Sequence, residues 1–393
     1  MRAVLFDRFG SVPQVREVPY PQPPAEAVVV RVEATGICRS DWHALVGHDP
    51  DVVLPHVPGH EFAGTVHSLG AGVTGVEVGE RVTAPFVYAC GVCRPCRRGD
   101  QNVCLDQRQP GFTRWGSFAE YVVVERAAVN LIRLPDEVGF GAAAVLGCRF
   151  GTAFRAVTAV GALRPGEWVA VHGCGGVGLS AVMIAVAAGA RVVAVDVAPG
   201  ALALAAKLGA EVTLNAKHID AEVDGEEIDG EIDGAGIDGA PGTRADGGAV
   251  RPIEDSPLVA AIREATDGGA DLSLDALGSP ATCAASIAGL RTRGRHVQVG
   301  LLPPALGLPA VPMHLVVMRE LQLFGSHGIS AHAYPQLLSL IASGRMHPDR
   351  LITGIIELDQ AGAVLAGMGG TPPIGITMVN PARILDDSGT PGL

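Results

Sequence analysis

The stretch from Glu167 to Asp196 permits few folds. Glu-Trp-Val-Ala-Val at 167–171 reads as a short buried strand, Gly173-Cys174-Gly175-Gly176-Val177-Gly178 follows it, and Leu179 to Ala188 continues as an apolar helix. A second strand, Arg191 to Val195, ends at Asp196. Glycines at 173, 175 and 178 are what a strand-to-helix turn needs when a pyrophosphate sits on the helix N-terminus. The first makes the turn, the second admits the phosphates to the backbone, and the third lets helix pack on strand. An acid at the second strand end accepts hydrogen bonds from a ribose diol and repels a 2′-phosphate. No Arg or Lys occurs among Val197 to Leu202, so the pattern favours NAD over NADP. A glycine-rich turn without a ligand is the plain alternative, and it leaves the strand, the helix and the acid at their spacing unexplained.

Strands at Glu211–Leu214, Asp271–Ala276 and Arg295–Gly300, with a helix at Pro257–Thr266, extend the alternation and predict an α/β, doubly wound parallel sheet. At 393 residues the chain exceeds what one core usually covers, so two domains are expected. The most apolar helical run, Ala181 to Ala190, is far short of the ~20 residues a bilayer span needs, so no membrane span is expected. The net charge of −12 speaks against nucleic acid as a partner. Most of that charge is local: residues 218–256 hold twelve Asp or Glu and two Arg and repeat Ile-Asp-Gly three times. This acidic low-complexity insertion, between the third strand and the next helix, reads as solvated chain. A calcium site built from the repeats would need a loop signature with a closing Glu, which is absent.

Cys90, Cys93, Cys96 and Cys104 crowd into fifteen residues with spacing C-x2-C-x2-C-x7-C. Four such thiolates close a tetrahedral zinc site with no open position, which shapes a loop and does no chemistry. Two disulfides are the alternative. Met1 to Phe6 carries neither a basic start nor an apolar run of signal-peptide type, so a reducing, cytoplasmic location and a structural zinc are expected.

Upstream lie Cys38-Arg39-Ser40-Asp41-Trp42-His43 and Gly59-His60-Glu61, and downstream lies Cys148. Two thiolates and an imidazole form a donor set that leaves zinc an exchangeable fourth position, although each residue taken alone fits a core equally well. With Gly-His-Glu, the cysteine loop and the glycine fingerprint in this order, the chain resembles the zinc-containing medium-chain dehydrogenases of the alcohol dehydrogenase type. The resemblance runs from Met1 to about Val379, apart from the insertion. It implies a GroES-like β-barrel catalytic domain over 1–149 with a structural zinc lobe at about 88–106. A Rossmann NAD-binding domain over 150–324 and a return to the catalytic domain over 325–393 complete it.

The resemblance further implies two zinc ions per chain, the catalytic one held by Cys38, His60 and Cys148. Glu61 is then a carboxylate able to approach that metal, Asp41 the acid that orients His60, and Ser40 with His43 a proton relay from the alcohol to solvent. Phe86 and Trp42 become candidate pocket walls. Thr152, Val177 and Val299 match positions at the nicotinamide, and Arg39 matches a residue that pairs with the pyrophosphate. Polyol dehydrogenases of the family usually carry Glu where this chain has Cys148, which favours a simple alcohol or aldehyde. Residues 371–375 lack an arginine that some members place on the cofactor phosphates. The expected function is alcohol oxidation with NAD, in a homotetramer or homodimer. The alternatives are an aldehyde or ketone reductase of a dedicated pathway and a non-catalytic nucleotide-binding protein.

Overall fold

A computed structural model of the chain describes residues 1–219, 252–302, 307–370 and 372–381. The chain divides into two compact units: Met1–Cys148 with Ile329–Ser343 and the chain from His347 onward, and Arg149–Gly328 with Gly344–Met346. The acidic repeats at 220–251 and residue 371 lie outside the described residues.

The first unit is mostly antiparallel sheet. β1 (Arg2–Leu5) and β2 (Gln14–Glu17) form a hairpin, and β3 (Val28–Gly36) is the central strand. β3 pairs antiparallel with β4 (Phe62–Leu69) and with β6 (Tyr121–Val124); β5 (Arg81–Thr83) and β7 (Ile132–Arg133) extend the sheet. Two register shifts between β3 and β4 bend the sheet, as bulges do. Val28, Val30, Val32, Phe62, Val66, Tyr88 and Val122 pack together as its core. β3 is apolar almost without interruption because it is buried along nearly its whole length.

The second unit holds β8 (Trp168–His172), β9 (Arg191–Asp196), β10 (Val212–Asn215), β11 (Ala270–Asp275), β12 (Leu290–Gln298) and β13 (Gln322–Gly325). All pair in parallel, in the order β10-β9-β8-β11-β12-β13, the strand order of a doubly wound nucleotide-binding sheet. β8 is buried at every position, as a central parallel strand must be. The fingerprint helix spans Gly176–Ala187 and so begins three residues before the apolar run suggests, because Gly175 already caps it. The strand expected at Arg295–Gly300 runs instead from Leu290 to Gln298. It stops there because the N–H groups of Val299 and Gly300 converge on one carbonyl, that of Asp275 at the end of β11, where the regular rungs cease.

The chain then returns to the first unit with β14 (Ile352–Glu357) and β15 (Ile376–Asn380). β15 pairs antiparallel with the end of β3, Met378 facing Gly36, and the Ile37 N–H donates to the Thr377 carbonyl at 3.0 Å. Among the described residues no helix is long and apolar enough to cross a membrane.

The third fingerprint glycine has a steric reason. A Cβ on Gly178 would lie 1.7 Å from the Gly173 carbonyl oxygen, a backbone atom that cannot step aside. Gly178→Ala is expected to destabilise the second unit by roughly 1–3 kcal/mol. An unchanged denaturation midpoint would contradict this packing.

Candidate functional site

The first donor cluster is assembled where β3 ends. Gly36 leads into Cys38, whose extended backbone caps the helix Arg39–Leu45. Asp41, in the first turn of that helix, reaches back to accept the Cys38 N–H at 2.9 Å. Its other oxygen accepts the Gly59 N–H at 2.9 Å and pairs with His60 Nδ1 at 2.8 Å. One fully buried carboxylate thus ties the Cys38 segment to the Gly-His-Glu segment. Gly59 sits at φ +103°, and a Cβ there would fall 2.5 Å from Phe118 Cδ1, so only glycine fits. Gly147 lets a third segment approach, since its Cβ would lie 3.2 Å from Glu61 Cα.

The result is that the ligand atoms of Cys38, His60, Glu61 and Cys148 all lie within 4.8 Å of one another. His60 Nε2 is buried and has no hydrogen-bond partner among the described residues. Burial alone would lower the His60 pKa; the Asp41 carboxylate and the Cys38 thiol outweigh it and raise the pKa well above the usual imidazole value. In the neutral ring that a metal binds, Nδ1–H is donated to Asp41 and the lone pair lies on Nε2, on the side of the other donors. Two sulfurs, that nitrogen and a nearby carboxylate suit zinc, and a metal ion would satisfy the orphaned nitrogen.

The second cluster is Cys90, Cys93, Cys96 and Cys104, again within 4.8 Å of one another. The Sγ separations are 3.9 Å for Cys90–Cys96, 3.3 Å for Cys93–Cys96 and 3.7 Å for Cys93–Cys104. The edge of a tetrahedron with 2.3 Å zinc–sulfur bonds is about 3.8 Å. None of the eight cysteines forms a disulfide. The Val92 and Cys93 N–H groups donate to Cys90 Sγ and lower its pKa, favouring the thiolate a metal needs. Asn130 braces the lobe, accepting the Ala89 N–H at 2.8 Å.

The remaining candidates fall in both units. Ser40 Oγ is 3.8 Å from Cys38 Sγ. His43 Nδ1 is 3.0 Å from His48 Nδ1. Arg39 Nη1 donates to the Met368 carbonyl at 3.0 Å, with the guanidinium carbon 4.7 Å from the Trp42 ring centroid. Trp42 packs on His43, His48 and Gly369. Phe86 lies 6.2 Å from the His60 ring, and Phe112, which the sequence did not single out, lies nearer at 5.1 Å. In the second unit Gly173 takes φ +88°. Asp196 accepts the Cys174 N–H at 2.6 Å and the Ala198 N–H at 2.8 Å, which fixes the acid beside the glycine turn. Gly175, Gly176 and Val177 begin the helix, and Thr152 is buried on the helix Arg149–Arg155.

Two further residues escaped the sequence reading. Asp275 ends β11 as Asp196 ends β9; its side chain accepts the Leu277 and Gly278 N–H groups and a Gln298 amide hydrogen, and its carbonyl holds Val299. The acid-at-strand-end pattern was the available signal. Arg149 is buried, and a Cβ on Gly176 would meet its Cδ at 2.3 Å, so this glycine, at a variable position of the fingerprint, makes room for the side chain.

Asp41→Asn would turn an amide N–H₂ toward at least one of three donors while keeping the volume. Zinc affinity at the Cys38 centre is expected to fall roughly 10–100-fold, read by chelator competition with the four-cysteine site as internal reference. Equal zinc retention in both proteins would remove Asp41 from this role.

Comparison with known proteins agrees with this geometry. A family described as "Alcohol dehydrogenase GroES-like domain" matches residues 24–136, and one described as "Zinc-binding dehydrogenase" matches residues 176–240 and 247–343. An alcohol dehydrogenase of Geobacillus stearothermophilus is 41% identical over 223 residues, 56% of this chain. That match spans only 65% of the relative's own length. Alcohol dehydrogenase TADH from Thermus sp. ATN1 superposes with a TM-score of 0.79 at 30% identity, covering 97% of this chain and 99% of that one. A structure titled NAD-dependent alcohol dehydrogenase gives a TM-score of 0.78 at 27% identity, covering 97% and 100%. The chain belongs to the zinc-containing medium-chain dehydrogenases of the alcohol dehydrogenase type.

Proposed function

We propose that the protein is a zinc-dependent oxidoreductase that transfers hydride between a primary or secondary alcohol and NAD, giving an aldehyde or ketone and NADH. The observation that carries this reading is the buried meeting of Cys38, His60, Glu61 and Cys148 around an unpartnered imidazole nitrogen. The relatives named alcohol dehydrogenase support the reaction class, and the neighbour named NAD-dependent supports the coenzyme.

Cys38, His60 and Cys148 would hold the catalytic zinc, and the four-cysteine lobe the structural one. When bound, zinc supplies Lewis acidity and NAD the hydride acceptor. The protein's own groups do the rest. Asp41 holds the His60 tautomer, Ser40 takes the alcohol proton, and His43 receives it on the way to solvent. Glu61 stands by as a second carboxylate at the centre. Gly173, Gly175, Gly176, Val177 and Gly178 cradle the coenzyme, Asp196 its ribose, Thr152 and Val299 its nicotinamide, and Arg39 its pyrophosphate. Residues 1–149 and 325–393 then form the catalytic domain and 150–324 the coenzyme domain. Cys148 in place of a glutamate supports a simple alcohol, and eight cysteines without a disulfide fit a cytoplasmic protein. A homodimer or homotetramer is the assembly we assign.

Elemental analysis should give two zinc ions per chain, and Cys38→Ser should lower this to one. That variant should keep NAD binding and lose alcohol-dependent NADH formation; turnover that survives it would overturn the assignment. Asp196→Ser should move the kcat/KM ratio toward NADP by roughly tenfold or more, about 1.4 kcal/mol. A wild type that already prefers NADPH would refute the carboxylate argument.

A further inference from the structure

His48 belongs to no expected site, yet the backbone places it with care. The helix Arg39–Leu45 has its C-cap at Val46, and Gly47 follows at φ +80°. The Gly47 N–H donates to the Ala44 carbonyl at 3.2 Å and the His48 N–H to the His43 carbonyl at 2.9 Å. These two bonds define a Schellman ending, which returns the residue after the glycine to the helix position five earlier. The side-chain contact that usually accompanies this ending is apolar; here it is imidazole on imidazole, Nδ1 to Nδ1 at 3.0 Å with ring centroids 5.3 Å apart. Trp42 packs edge-on against both rings, at 5.0 Å and 5.7 Å, and fixes their tilt. His43 is half-buried and His48 is exposed.

We propose that His48 is the outer member of a two-imidazole relay, taking the reaction's proton from His43 and delivering it to water. This rests on the alcohol dehydrogenase reading above. A proton arriving from the Ser40 side binds His43 Nε2, the His43 Nδ1–H passes to His48 Nδ1, and the His48 Nε2–H leaves to solvent. One proton enters and one leaves, and no electrons move. Burial first, then His48 and Arg39, push the His43 pKa down to about 4, so His43 is a poor place for a proton to rest and a good one to pass through. The Cys38 thiol acts the other way. The elements packed on this turn present Phe9 to Gly47 and Gly369 to Trp42, and the Asp49 carboxylate turns to the Asp51 N–H.

The test uses the zinc-loaded full chain, with benzyl alcohol and 1-butanol as probes. Proton release in a single turnover is followed with a pH indicator at low buffer. His48→Ala should slow that release by about a hundredfold, at the lower edge of what proton-transfer groups contribute, and added imidazole should restore it. NAD binding should be unchanged. Release as fast as in wild type, or slow release that imidazole does not restore, would overturn the proposal. A second readout needs no turnover: in ¹⁵N-histidine spectra, His48→Gln should raise the His43 titration midpoint from about 4, because a neighbour that lowers it is gone. An unmoved midpoint would show the two rings to be uncoupled. If wild type oxidised no alcohol, the functional reading would fall, while the spectra would still decide whether the imidazoles are coupled.

Discussion

Asp41 is a carboxylate with no access to water, and a charge in that position persists only if hydrogen bonds replace hydration. It receives three: the N–H groups of Cys38 and Gly59 and the imidazole Nδ1–H of His60. Each comes from a residue that is a candidate ligand or adjoins one. The carboxylate therefore sets the distance between two chain segments, holds the Nδ1 side of the imidazole, and leaves Nε2 as the nitrogen nearest to hand for a metal shared with the two cysteines. The close approaches at Gly59, where any side chain would collide, and at Gly147, where a Cβ would be tight, accompany the gathering of three segments around this point.

The two cysteine-bearing centres differ in how they are built, which explains why one is easily read and the other is not. The four-cysteine lobe is closed within fifteen residues, by a loop whose backbone N–H groups face its own sulfurs. The other draws on the end of a strand, a helix cap, a loop before β4 and a segment more than a hundred residues away. A local ligand cluster can be recognised by spacing alone, whereas a distributed one is recognisable only by donor type and order. Residue identity suggested Cys38, His60 and Cys148, and only folding brings them together.

Much of the second unit was legible because its signals are local. A buried strand, a glycine turn, a helix and an acid follow one another within thirty residues, and the alternation beyond them predicts a parallel sheet. Boundaries slipped where a few backbone bonds decide them, as at Val299 and Gly300, which share the Asp275 carbonyl at the end of β11. Phe112 escaped because its place near His60 comes from a turn whose Gly111 packs on the Gly59 backbone, and Arg149 because its burial against Gly176 is a tertiary fact. His48 is an intermediate case: Gly47 after a short helix announces a left-handed ending, but what the next side chain meets depends on the helix register.

The bond from the Ile37 N–H to the Thr377 carbonyl bears on the order in which the protein is made. The segment that carries Cys38 acquires its last backbone neighbour from residues near the far end of the chain, whereas every strand of the nucleotide-binding sheet has been synthesised by Gly325. On the ribosome the sheet can close while the Cys38 segment still waits, since domains fold as their chain emerges. The four-cysteine lobe, complete at Cys104, carries its own thiols together from early in synthesis. The same nascent chain therefore has one set of thiols complete early, while the segment that carries the other waits for its last strand through most of elongation.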